Sequence, residues 1–257
     1  MRQRHAGILR GLNKSTNRKS DEIDNWIQMI ATNRLTGHSK GFFSVYTLPP
    51  NQAVTQESQK KINKKRNQIP EYRDVKKLIL KKSKSLMRNL SEKQIKNLYE
   101  IGAKGLILTE DARNTSEIQD DSVQLSVTSP PFLDVVQYSK DNWLRCWFNG
   151  INEKEIEKTI TMTKKIDDWS KVMFDVFSEL YRVTKPGGWL AFEVGEVRKR
   201  TIKLDEYIVP LGLANNFICE GIIVNLQEFT KTSNIWGIDN NTLGTNTNRI
   251  VLFRKNN

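Results

Sequence analysis

Apolar positions change their period once along this chain, near residue 104. Before that point the recurrence is helical. Ile23, Trp26, Ile27 and Ile30 repeat at three- and four-residue steps and predict a short amphipathic helix over residues 21–30. Val75, Leu78, Ile79, Leu86 and Leu90 carry the same period through residues 74–98, and Ser91-Glu92 offers a second helix start ahead of Ile95 and Leu98. Between these helices, "GHSKGFFSVYTLPPNQAV" reads as a loop holding a short aromatic strand. Residues 56–68, "QESQKKINKKRNQ", read as a polar helix or solvated segment with almost no apolar face. Residues 1–20 read as frayed and polar.

After residue 104 the signal becomes that of strands. "KGLILTEDARN" and "DSVQLSV" predict two short apolar strands. "DDWSKVMFDVFSELYRVTKPGG" predicts a long helix with Trp169, Val172, Met173, Val176, Phe177, Leu180 and Tyr181 on one face, ended by Pro186-Gly187-Gly188. Strands follow at "WLAFEVGEV", "ICEGIIVNL" and "NRIVLFRK". Strands alternating with a long helix imply an α/β sheet, covered on its faces, with working residues at strand ends. The expected division is a basic, mainly helical region over residues 1–100 and an α/β part over 101–257.

With 257 residues, 37% of them apolar, the chain can bury a sizeable core. It has no run of about 18 apolar residues and no apolar block behind its first residues, so no membrane association and a cytoplasmic location are expected. Cys146 and Cys219, with only His5 and His38 beside them, match no zinc-ligand spacing and read as core thiols; no metal is expected. Charge is the informative part of the composition. The formal net charge of +12 divides into +14 over residues 1–100 and −2 over the remainder. Such asymmetry suits a region that grips a polyanion beside a region that does something else.

The second predicted strand runs directly into Ser129-Pro130-Pro131-Phe132. Two prolines end the ladder, fix the backbone and remove two donors. They leave the Pro130 carbonyl and the Ser129 hydroxyl as converging acceptors, which suits an amino group with two N–H bonds. A flat ring at Phe132 suits a planar heterocycle, so an exocyclic amine of a base fits both features. A second Pro-Pro pair, in "TLPPN", puts Leu48 where an acceptor is needed and Asn51 where the ring is needed, and reads as structural. Phe192-Glu193-Val194-Gly195-Glu196 lacks a second glycine and reads as a buried strand.

Ser129-Pro130-Pro131-Phe132 resembles the catalytic tetrapeptide of the amino-methylating DNA methyltransferases that use S-adenosylmethionine, in its Ser form. "ELYRVTKPGGWLAFEVGEV" is similar to that family's helix, turn and next strand, and "GTNTNRIVLFRK" to its closing strand. The resemblance covers residues 104–255, and "NRLTGHSKGFFSVYTLPPNQAV" is similar to a segment of one branch. It implies a Rossmann-like methyltransferase sheet and a double-stranded DNA substrate whose base is flipped and methylated. Cytosine N4 is favoured; adenine N6, an RNA substrate and a non-catalytic nucleic-acid-binding relic stay open. Ser129 and Pro130 would hold the amine, Pro131 set the turn and Phe132 stack on the base, while Asp111 would approach the cofactor adenine. From charge clustering, Lys60, Lys61, Lys64, Lys65 and Arg66 are candidate phosphate contacts.

The family's glycine-rich cofactor turn has no counterpart. Gly7, Gly11, Gly37 and Gly41 stand singly, none after an apolar strand, and "GLNKST" lacks the spacing of a phosphate-binding loop. The sheet is therefore expected to be incomplete, with an unpaired edge. A second polypeptide is expected to supply the missing turn, ahead of a truncated fragment or a diverged protein that binds cofactor another way.

Overall fold

The computed structural model describes residues 21–37, 39–44, 54–69, 71–131, 133, 138–161, 163–197, 201–227 and 246–257. Phe132, "TLPPN" and most of the segment read as an aromatic strand lie outside them. The chain forms two compact units, one of residues 1–107 with 137–158, the other of 108–136 with 159–257. The segment 137–158, which a division at residue 100 assigns to the second part, clusters with the first. Among the described residues no helix is long and apolar enough to cross a membrane.

The first unit is helical. Helix α1 (Glu22–Arg34) begins with a capping box in which the Asp21 side chain accepts from the Asp24 N–H and the Asp24 side chain returns to the Asp21 N–H. Helices α2 (Gln56–Lys65), α3 (Val75–Met87) and α4 (Glu92–Lys104) start at Thr55, Asp74 and Ser91, whose side-chain oxygens each accept a backbone N–H of the first turn. Helices α5 (Tyr138–Asn149) and α6 (Glu153–Thr159) follow. A small core joins Ile30 and Ala31 of α1, Ile79 of α3 and Phe148 of α5. Two hydrogen bonds brace it: Trp26 Nε1 donates to Ser83 Oγ at 3.0 Å, and Gln28 Nε2 to Asn149 Oδ1 at 2.9 Å. The apolar stripe of α4 is exposed throughout.

The second unit holds β1 (Val123–Thr128), α7 (Ile166–Val183), β2 (Thr184–Val194), the short pair β3 (Glu196–Val197) and β4 (Ile202–Lys203), α8 (Asp205–Ala214), β5 (Phe217–Gln227) and β6 (Asn246–Lys255). Its main sheet has the order β1-β2-β6-β5, with β1 parallel to β2 and the other two pairs antiparallel. The β1–α7–β2 crossover is the βαβ unit of Rossmann-like sheets, so the fold is mixed α/β with a partial sheet. Pro186-Gly187-Gly188 is looped out of β2, because pairing with β1 jumps from Val123↔Thr184 to Leu125↔Trp189. Gly187 has φ +72°, and a Cβ on Gly188 would lie 2.8 Å from the Lys185 carbonyl oxygen.

The core lies on one face of this sheet. Leu190, Phe192 and Val194 of β2 and Val251 and Phe253 of β6 are buried with Trp169, Met173, Val176 and Phe177 of α7 and Ile208 of α8. Phe177 stands at its centre, with ring centroids 4.9 Å from Phe192 and 5.3 Å from Phe253. The opposite face corrects the expectation of a sheet covered on both sides: Leu125 and Val127 of β1 are 56% and 73% exposed, and Ile223 of β5 is exposed as well. Among the described residues β1 pairs on one side only. "KGLILTEDARN" also departs from its expected strand. After α4 ends at Gly105, Leu106 and Ile107 are 55% and 91% exposed in irregular chain, because among the described residues no strand edge accepts them.

Candidate functional site

Parallel strands point their carboxyl ends the same way, and open α/β sheets bind ligands beyond those ends. β1 ends at Thr128, opposite Phe192 of β2, and Ser129-Pro130-Pro131 leave the sheet from there. Ser129 is exposed and both prolines are half-buried. Trp169 Nε1 donates to the Pro131 carbonyl at 3.0 Å. Two residues further on, Leu133 is fully buried in the same core as the Trp169 ring. Among the described residues no hydrogen bond engages the Ser129 hydroxyl. The turn is thus fastened through the Pro131 carbonyl and Leu133, with Ser129 exposed.

The approach to β1 is fastened as well. Glu179 of α7 accepts from the Thr115 N–H at 2.7 Å and the Thr115 hydroxyl at 2.6 Å. Its carboxylate also takes two N–H groups of Arg182, whose guanidinium donates onward to the Ile118 and Thr115 carbonyls and to Asp120. The Arg182 bonds, joined by those from Thr115, hold the Glu179 carboxyl down at about 2 against the opposing effect of burial. Asp121 pairs with Lys255 Nζ at 2.6 Å.

Asp111, the nominated cofactor contact, lies in the exposed turn before this clamp, and its carboxylate takes both Nε and Nη2 of Arg113, at 2.9 and 2.6 Å. Those hydrogen bonds lower its carboxyl to about 2. Lys60, Lys61, Lys64 and Lys65 lie on α2, Lys60, Lys61, Lys64 and Lys65 among its solvent-facing positions, and Arg66 is its exposed C-cap. Phe132, the nominated stacking ring, lies outside the described residues.

Sequence reasoning missed a buried ionic cluster in the same unit. Arg249 of β6 donates to Glu196 Oε1 at 2.9 Å and to Asp205 Oδ2 at 3.1 Å. Both carboxylates are buried, and the hydrogen bond to Glu196, with the charges of both acids, raises the Arg249 pKa further. The cluster ties the residues after β2 to the start of α8 and to β6. Its signal was an arginine inside the apolar run "NRIVLF" with acids just beyond a glycine and at a helix start.

No family model matches the chain. Over 101 residues it is 30% identical to the type II methyltransferase M.MjaI of Methanocaldococcus jannaschii, a match covering 37% of this chain and 33% of that protein. The chain thus spans about one third of the length of the curated relative it matches. Among solved structures, a Thermus thermophilus protein described as a DNA modification methylase, in complex with S-adenosyl-L-methionine, is 20% identical. That likeness covers 58% of this chain and 52% of the other, at a TM-score of 0.38. A SAM-dependent methyltransferase of Methanosarcina mazei is 14% identical over 65% of this chain and 79% of its own, at a TM-score of 0.33.

Proposed function

We propose that this chain is the amine-holding part of a DNA methyltransferase that modifies the exocyclic amino group of a flipped base, cytosine N4 in preference to adenine N6. The observation that carries the reading is the position of Ser129-Pro130-Pro131 at the carboxyl end of a parallel strand, with the Ser129 hydroxyl exposed. The 30% identity to a type II methyltransferase supports it. Ser129 and the Pro130 carbonyl accept the two N–H bonds of the amine and draw its lone pair out of conjugation with the ring. Phe132 stacks on the base, Lys60, Lys61, Lys64, Lys65 and Arg66 contact phosphates of double-stranded DNA, and positioning supplies much of the rate. Modification within a restriction system is the role this reading implies.

S-adenosylmethionine supplies the electrophilic methyl group in such a reaction. The described residues fit it poorly by themselves. Their positive-φ glycines, Gly150, Gly187 and Gly221, do not form a glycine-rich turn behind a parallel strand, and the Asp111 carboxylate is already engaged by Arg113. We therefore assign the glycine-rich seat to a second polypeptide and derive no step at the cofactor; Asp111 could reach the cofactor adenine only by giving up its pairing with Arg113. A second reading, a nucleic-acid-binding relic without catalysis, is favoured by the same missing turn together with the net +14 of residues 1–100.

Transfer of a radiolabelled methyl group to duplex DNA tests both readings, using the chain alone and co-expressed with the product of the adjacent upstream reading frame. Nucleoside analysis of the product distinguishes N4-methylcytosine from N6-methyladenine. Ser129→Ala should depress turnover far more than DNA affinity; equal loss of both would defeat its assignment. DNA binding without transfer, and without S-adenosylmethionine binding in either preparation, favours the relic.

A further inference from the structure

We propose that Trp169 is a positioning residue for the amine-holding turn, an inference that rests on the function proposed above. Pro130 and Pro131 have no N–H, so neither can secure the turn by donating to its surroundings. The hold must come from groups that donate to its carbonyls or from side chains that anchor its flanks, and both are present. Trp169, the fourth residue of α7, is fully buried, and its indole N–H, a donor with no acceptor capacity, meets the Pro131 carbonyl at 3.0 Å. The direction of the ring is set by the helix, whose backbone bond from Trp169 N to the Lys165 carbonyl is 3.1 Å. Leu133 enters the same core on the far side of Phe132 in the sequence.

This arrangement divides the work of the three carbonyl and hydroxyl acceptors. The Pro131 carbonyl is spent on the scaffold, which leaves the exposed Ser129 and the Pro130 carbonyl for the substrate amine. The amine must lie within hydrogen-bond reach of both acceptors at once, so the spacing between them and the reacting methyl is the quantity Trp169 protects. Misplacement by about 1 Å costs about 100-fold in rate. Trp169 touches neither base nor methyl donor and acts only through the turn.

The test replaces Trp169 by 3-benzothienylalanine, which keeps the bicyclic shape and loses the N–H, with Trp169→Phe as a second variant. The expected result is a roughly 10- to 100-fold fall in kcat, with the KM for DNA within about twofold of wild type. Labelled proline gives a second readout that does not depend on catalysis: the chain has seven prolines, and the carbonyl carbon resonance of Pro131 should move in both variants. A benzothienylalanine variant with wild-type kcat, or a Pro131 resonance that does not move, overturns the proposal. Activity is measured on the chain co-expressed with the product of the adjacent upstream reading frame; if that wild-type preparation transfers no methyl group the functional reading has failed, and the resonance alone decides whether Trp169 holds the turn.

Discussion

Replacing Glu179 by Gln should loosen the approach to β1, by an amount that changes with pH. In the native protein Oε1 accepts three hydrogen bonds, two from Thr115 and one from Arg182, and Oε2 accepts a fourth from Arg182 Nε. A glutamine has one acceptor oxygen and one NH2. Whichever way it turns, an N–H faces an N–H, and the charge that strengthened all four bonds is gone. A carboxyl at about 2, where the ordinary value is 4.5, corresponds to on the order of 3 kcal/mol. The Glu179 side chain is 11% exposed, but Arg182 is 30% exposed and partly screened by solvent, so about 2 kcal/mol is the expected loss. The sign follows from the lowered value. Stabilisation from this group is complete above the ordinary carboxylate range and is lost as pH falls through about 2. The gap between wild type and Glu179→Gln should therefore be constant above about pH 5 and close between about 4.5 and 2. Urea unfolding at a series of pH values measures the gap, and hydrogen exchange of the Thr115 amide reports the clamp locally. A gap under about 0.5 kcal/mol at neutral pH, or one that persists undiminished at about pH 2, would refute the reasoning.

Three further perturbations follow from the fold. A Cβ at Gly212 would lie 2.2 Å from Phe253 Cε1, a buried ring that packs against Phe177 and Phe217, so Gly212→Ala should cost about 1–3 kcal/mol in denaturant unfolding; a neutral result would mean that α8 sits further from β6. Changing Lys60, Lys61, Lys64, Lys65 and Arg66 together to Gln should flatten the dependence of log K on log salt for duplex DNA, by about 0.9 for each phosphate no longer neutralised; an unchanged slope removes α2 from the interface. Because β1 has no partner on one side among the described residues, with Leu125 and Val127 exposed beside it, sedimentation of the purified chain should reveal association that Val127→Lys suppresses, whereas a wild-type monomer at high concentration would contradict an exposed pairing edge.

Helices whose periodic residues meet a core were legible. The stripe Trp169, Met173, Val176 and Phe177 became the buried face of α7, and Ile30 and Ile79 anchor the first unit. The strands read at "DSVQLSV", "ICEGIIVNL" and "NRIVLFRK" formed for the same reason, whereas the one read at "WLAFEVGEV" begins earlier, at Thr184, takes in Pro186-Gly187-Gly188 as an irregularity and stops at Val194. Apolar character alone misled where the described residues offer no partner: Leu106 and Ile107 promised a strand, but a strand needs a neighbour and a pattern cannot supply one. The stripe of α4 likewise has no cover among the described residues. Helix α5 was not predicted although Trp143, Leu144, Trp147 and Phe148 recur at helical spacing, because the run is short and follows closely on a double proline. Ser129-Pro130-Pro131 stands out by its residue types, and it lies beyond the end of β1. Trp169 read as an ordinary core aromatic, since nothing in a helical stripe says that one ring nitrogen faces a carbonyl 38 residues away. The charges of Arg249, Glu196 and Asp205 are similarly scattered in sequence and meet only through the fold.

The path of the chain between the two units has a practical consequence for anyone wishing to transplant one of them. The polypeptide passes from one unit to the other at three places, after residues 107, 136 and 158. Neither unit is a contiguous cassette. A gene fragment cut between codons 100 and 101 would leave Ile30, Ala31 and Ile79 without Phe148, and would hand the downstream product a helix whose packing partners had stayed behind. Exchange of the basic unit between homologous genes thus requires two coordinated crossovers flanking codons 137–158 as well as the one near codon 107, so shuffled libraries built from single joints should be poor in folded clones. Chimeras that respect all three joints are the ones in which a new unit can be read out against an intact sheet.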